Sequence, residues 1–107
     1  MEKIVYKTEV KEYLKDLAFV LFKNEYFSYM ETAIEYVQKI RNDIETTIAF
    51  KQHKSTPQRL IKHGKYYASF PANKRTTWYV FFDKKGDRFF IEYITNNHLF
   101  KASLLIN

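Results

Sequence analysis

The chain has 107 residues, 46% of them apolar and 28% charged, with no cysteine and a formal net charge of +6. That is enough for one domain, residues 1–107, with its own core, and it excludes a disulfide framework or a thiolate metal site. No apolar run reaches the length of a signal-peptide core or a membrane span, so a cytoplasmic protein with no membrane partner is expected.

The charge is unevenly placed. Residues 1–50 carry 7 Lys/Arg against 9 Asp/Glu, whereas residues 51–107 carry 11 against 3. A basic second half on a chain of pI near 9.4 points to a polyanionic partner such as nucleic acid. The competing reading is a basic surface with no specific ligand.

In chain order, Lys3 to Lys7 reads as a short extended segment. Thr8 stands where an N-cap belongs, and Val10, Leu14, Leu17, Ala18 and Leu21 then repeat at helical spacing. Asn24 is positioned to end that helix in a left-handed conformation. Ser28 and Glu31 have the spacing of a capping box, followed by a second apolar stripe of Met30, Ala33, Ile34, Val37, Ile40, Ile44 and Ile48 that runs to about Phe50. The two helices form an antiparallel hairpin.

Residues 51–64 read as a loop that carries His53, His63 and several cations. Strands are predicted at Tyr66–Phe70, Thr76–Asp83 and Arg88–Thr95, the last two joined by a turn at Lys84-Lys85-Gly86-Asp87. The order β-α-α-β-β-β gives an α+β fold, an antiparallel sheet packed on an N-terminal helical hairpin. Strict alternation puts Trp78, Val80 and Phe82 on one face and Tyr79 and Phe81 on the other; in the return strand Phe89, Ile91 and Tyr93 oppose Phe90 and Ile94. Two helices cover one face only. The other face is expected either to keep exposed aromatic surface for a partner, a homodimer among the options, or to be covered by the last segment.

His53 and His63 have no third ligand at a recognised spacing, so no metal or other cofactor is expected. With only 2 Gly, nucleotide-binding loops are ruled out, and no Ser-His-Asp set is present.

The stretch Lys65-Tyr66-Tyr67, then Thr76-Thr77-Trp78-Tyr79-Val80-Phe81-Phe82, then Tyr93-Ile94-Thr95-Asn96-Asn97-His98, taken with the size, the basic charge and the element order, resembles the RelE/ParE superfamily of bacterial type II toxin–antitoxin toxins. The resemblance covers nearly the whole chain. It implies a cognate antitoxin that wraps the domain and one of two activities: ribosome-dependent cleavage of mRNA, as in RelE-like members, or poisoning of DNA gyrase without cleavage, as in ParE-like members.

RNA cleavage through the 2′-OH needs a base, an acid and positive charge on the phosphate. His98 follows a strand in a polar Asn-Asn context, where the resemblance implies a catalytic histidine, and imidazole is the side chain suited to both proton transfers. Arg75 is the candidate clamp on the scissile phosphate. Arg59, Lys62, Lys65 and Lys74 are candidates for RNA backbone contacts, and Tyr67 and Tyr93 for stacking on a base. Each also has an ordinary reading: a surface histidine, solvated strand-end and loop cations, packing tyrosines. The sequence departs from the RNA-cutting pattern in its last segment, where Leu99 to Asn107 carries only Lys101 as a charged group and no tyrosine. A ParE-like toxin and a plain RNA-binding module are the alternatives.

Overall fold

Apolar stripes at helical spacing build the first layer. In the computed structural model, which describes residues 3–99, α1 spans Thr8–Lys23 and buries Val10, Leu14, Leu17 and Ala18, while α2 spans Met30–Thr47 and buries Ala33, Val37, Ile40 and Ile44. The helix ends differ from the sequence reading. Thr8 lies inside α1, and Lys7 occupies the cap position with no side-chain bond. At the other end the left-handed residue is Glu25 (φ 63°), not Asn24. Tyr26 N–H donates to the Leu21 carbonyl and Glu25 N–H to that of Phe22, both at 3.0 Å. This pair of bonds needs positive φ one residue past the cap, so register overrides residue preference. Likewise α2 is entered through Tyr29 with no side-chain cap, and Ser28 lies one residue too early for the expected box.

The second layer is a five-stranded sheet in the order β1-β5-β4-β3-β2. Its strands are β1 Lys3–Tyr6, β2 Lys54–Ser55, β3 Tyr66–Pro71, β4 Thr77–Lys85 and β5 Arg88–Asn96. Three antiparallel pairings join β2 through β5, and β1 adds to β5 in parallel. The sheet is therefore mixed rather than antiparallel, because the chain crosses over through the whole helical hairpin before β5 returns beside β1. The expected loop at 51–64 also holds structure: β2 and a 3-10 helix over Gln58–His63.

Tyr6 ties β1 to α2. Its hydroxyl donates to Glu45 Oε2 at 2.9 Å, the acceptor that Arg41 Nε also uses, and the Arg41 guanidinium lies 5.0 Å from the Tyr6 ring centre. Burial and the Glu45 carboxylate push the phenol well above its usual range.

The helices cover the face that carries Ala68, Phe70, Trp78, Val80, Phe82, Phe89, Ile91 and Ile94. A bulge in β5 alters the expected alternation: Phe81 pairs with Tyr93 but Phe82 pairs with Ile91, leaving Glu92 as the extra residue. Beyond it the faces exchange, so Ile94 enters the helical core and Tyr93 goes to the far side. The far face is not left open. The 3-10 helix lays Leu60 against Tyr67, Tyr79 and Phe81, all buried, so a segment of the chain itself covers these aromatic residues.

Candidate functional site

The chemistry-bearing residues gather at the end of the sheet where β4 begins and β5 ends. The β3–β4 turn is held from within: Asn73 Oδ1 accepts the backbone N–H groups of Arg75 and Thr76, each at 2.9 Å. This Asx arrangement leaves the Lys74 and Arg75 side chains exposed. Among the described residues neither pairs with a carboxylate.

The run Asn96-Asn97-His98 is stitched to that turn. Asn97 Oδ1 accepts the Thr77 N–H at 2.8 Å, and Asn97 Nδ2 donates to the Arg75 carbonyl at 2.9 Å. Asn96 Oδ1 accepts the N–H groups of His98 and Leu99 at 2.9 and 3.1 Å. These bonds turn the chain so that His98 Nε2 meets Thr76 Oγ1 at 2.9 Å, the ring remaining exposed. Two asparagine amides thus set a histidine beside a Lys-Arg pair.

Next to them is a cavity of about 510 Å³, between the loop end of the helical hairpin, where α1 turns into α2, and the end of the sheet. Its walls include Tyr13, Tyr26, Phe27, Tyr36 and Trp78, and its mouth includes Asn73, Thr76, Asn96 and His98. Trp78 Nε1 donates to the Tyr36 hydroxyl at 3.0 Å, and the Phe27 and Tyr36 rings lie 5.1 Å apart, so this wall is braced. Burial, followed by the neighbouring Tyr93 and Tyr36, raises the Tyr13 phenol.

The remaining sequence candidates are elsewhere. Lys65 precedes β3 at its opposite end, its N–H bonded to Asp83 Oδ1 at 2.8 Å. From Tyr66, paired with Phe82, to Pro71, paired with Thr77, the strand runs roughly 17 Å. Arg59 and Lys62 belong to the 3-10 helix on the far face. Tyr67 is 7% exposed; as a buried side chain of the far-face cluster it offers no stacking surface. Tyr93 is 37% exposed, but one side of its ring stacks on His63, with centroids 4.1 Å apart and planes at 13°. His53 packs edge-on to Tyr66 and Phe82, on the opposite side of the sheet from His63. Among the described residues no group of three His, Asp or Glu side chains gathers, and no helix is long and apolar enough to cross a membrane.

Sequence reasoning missed Thr76, both asparagines as positioning groups, and the cavity. The Asn-Asn pair before His98 was a usable local signal. Tyr13 and Tyr36, far from His98 in sequence, left none.

Burial pushes the His63 imidazole below its ordinary value of 6.5, with the Lys62 ammonium adding to the effect. A pKa lowered on folding means that the unfolded chain binds the proton more readily. The fold therefore loses stability as pH falls through about 6.5, and the loss levels off below the folded pKa. Thermal unfolding followed from about pH 7.5 to about pH 5.5 should show a falling midpoint. His63→Phe, which keeps a ring on Tyr93, should flatten that fall; an unchanged slope would remove His63 as its source.

Compared with protein-family models, curated proteins and solved structures, the chain has no match.

Proposed function

We propose that this chain is the toxin of a type II toxin–antitoxin pair, a RelE-like endonuclease that cuts messenger RNA on the ribosome. The observation that carries the reading is the juxtaposition at the sheet end: an exposed imidazole, fixed through Thr76, Asn96 and Asn97, beside the exposed cations Lys74 and Arg75. Those groups are what transesterification of RNA requires. The 2′-oxygen loses its proton and attacks phosphorus, the bond to the 5′-oxygen breaks, and that oxygen takes up a proton; the products are a 2′,3′-cyclic phosphate and a 5′-hydroxyl end. His98 is the group for proton transfer, and Arg75 stabilises the charge that develops on the phosphoryl oxygens. Lys74 supports it as a second cation. Lys65 lies at the opposite end of β3 and Arg59 and Lys62 in the 3-10 helix on the far face, so these three are assigned to other backbone or ribosomal RNA contacts.

In this reading the partner is an antitoxin that covers the Lys74–Arg75 rim. A second reading, a ParE-like toxin that binds gyrase without cleavage, is favoured by Phe19, Phe22, Tyr26 and Tyr29, which are exposed near the tip of the helical hairpin and offer an apolar protein-binding surface.

Brief expression in bacteria with mapping of new mRNA 5′ ends separates these readings. Cuts within translated regions are the expected result. Intact messages with double-strand DNA breaks would replace it with the gyrase reading. Salt-dependent RNA binding without either kind of damage would leave a plain RNA-binding module.

A further inference from the structure

We infer that the aromatic cavity beside His98 is a nucleobase subsite that selects guanine, an inference that rests on the RNA-cleaving reading and names part of its substrate. Its volume of about 510 Å³ lies within the range of small-ligand pockets, roughly 300–1,000 Å³. It is far more than a single amino-acid side chain needs. The rings of Tyr13, Tyr26, Phe27 and Tyr36 line it over a buried Trp78, and an unstacked base recovers its lost stacking energy on such accessible rings. Tyr26, 70% exposed, is free to close over an incoming base without leaving the core.

The choice of base follows from Asp16. It is the one carboxylate among the residues that line the cavity, the other polar side chains there being amides, hydroxyls and the His98 ring. A carboxylate only accepts hydrogen bonds. Guanine presents two adjacent donors, N1–H and the 2-amino group, which match its two oxygens. Adenine and cytosine place a ring acceptor beside their amino group, and uracil flanks its single N–H with two carbonyls; each sets a lone pair against the carboxylate. A site built around such a pairing rejects a base that cannot make it.

The sugar-phosphate is placed by the rim. Asn73, Thr76 and His98 line the cavity, and Lys74 and Arg75, exposed in the turn between the first two, stand outside it. A base inside therefore leaves its phosphate at His98, on the side from which these two long cations can reach it. The bound nucleotide is the one adjoining the scissile bond.

Trp78 is the only tryptophan of the chain and lines the cavity, so its fluorescence reports occupancy directly. Guanosine 3′-monophosphate titrated into the full chain should quench it saturably, with an affinity about tenfold or more above that of cytidine 3′-monophosphate. Inorganic phosphate should leave it unchanged. Asp16 is exposed, so Asp16→Asn should unfold at the same temperature while its preference between the two nucleotides drops below about twofold. Tyr26→Ala should weaken both nucleotides alike. No quenching by either nucleotide, equal affinity for the two, or a preference that survives in Asp16→Asn would each overturn the inference. The titration involves no ribosome and no cleavage. Guanine binding with intact cellular messages would thus sink the nuclease reading and leave the subsite; mRNA cuts with no nucleotide preference would do the reverse.

Discussion

Alanine at position 98 is expected to lower the rate of mRNA cleavage by about 10²–10⁴-fold, the usual worth of a positioned general acid–base group. The side chain is exposed, and among the described residues it is hydrogen-bonded to Thr76 Oγ1 alone. The substitution should therefore cost only about 1 kcal/mol of stability, and loss of activity cannot be put down to unfolding. His98→Gln sharpens the test. An amide can keep a bond to Thr76 yet cannot shuttle a proton, so its cleavage rate should be as low as that of alanine, with antitoxin binding retained. Single-turnover cleavage of mRNA in a programmed ribosome is the measurement. A variant that cuts at the parent rate would remove the proton-transfer role from His98.

Asn97→Ala should act through position alone. It removes the two side-chain bonds from Asn97 to the start of β4 and the β3–β4 turn and keeps the backbone bond to the Thr77 carbonyl. Cleavage should fall by about tenfold as His98 and Arg75 lose their fixed separation, while the pH dependence of the remaining activity should keep its shape. A shifted pH profile would show that Asn97 does more than position.

The second large effect concerns the fold. Gly64→Ala should destabilise the protein by about 3 kcal/mol or more, read as a lower urea midpoint at unchanged slope. Gly64 joins the 3-10 helix to β3 with φ 139° and ψ 156°, a region of backbone space that only glycine occupies without strain. A Cβ placed there would lie 2.9 Å from the Phe82 nitrogen and 3.1 Å from its carbonyl oxygen. Those are main-chain atoms of a central strand and cannot step aside. The consequence spreads, because this junction seats Leu60 over Tyr67, Tyr79 and Phe81. Gly86 is the internal control. Its φ is 62°, but nothing lies within 4 Å of an added Cβ, so Gly86→Ala should cost only about 1 kcal/mol. Equal losses at the two positions would show that backbone conformation, not the close approach to Phe82, governs the site.

Much of the architecture was legible in residue order. The apolar stripe from Val10 to Leu21 and the one from Met30 to Ile48 gave two helices, although Ile34 of the second stripe is exposed rather than buried. The aromatic run Trp78 to Phe82 gave the central strand, and Lys84 to Asp87 its turn. Helix termini were read less well, because caps depend on register: Ser28 has the right chemistry one residue too early, and Glu25 takes a conformation for which its side chain gives no preference. The extra residue at Glu92 was illegible for a related reason. A bulge leaves alternation intact in the sequence and breaks it only against a neighbouring strand, so Tyr93 and Ile94 were assigned to each other's faces.

The candidate site divides along the same line. Near neighbours in the chain announce their own geometry, since an asparagine side chain reaches the backbone two or three residues on. Asn96 does this for His98 and Leu99, but Asn97 bonds Thr77 and Arg75. The run was thus visible in the sequence as a polar cluster with a histidine, and its positioning role was not; composition sufficed to make the second half of the chain cationic. Which cations stand beside His98 was decided by strand pairing: it brings Lys74 and Arg75 to the same sheet end and sends Lys65 to the other. The cavity belongs wholly to that level. Tyr13 from α1, Tyr36 from α2 and Trp78 from β4 meet there because burying two helical stripes on one sheet face draws distant segments together.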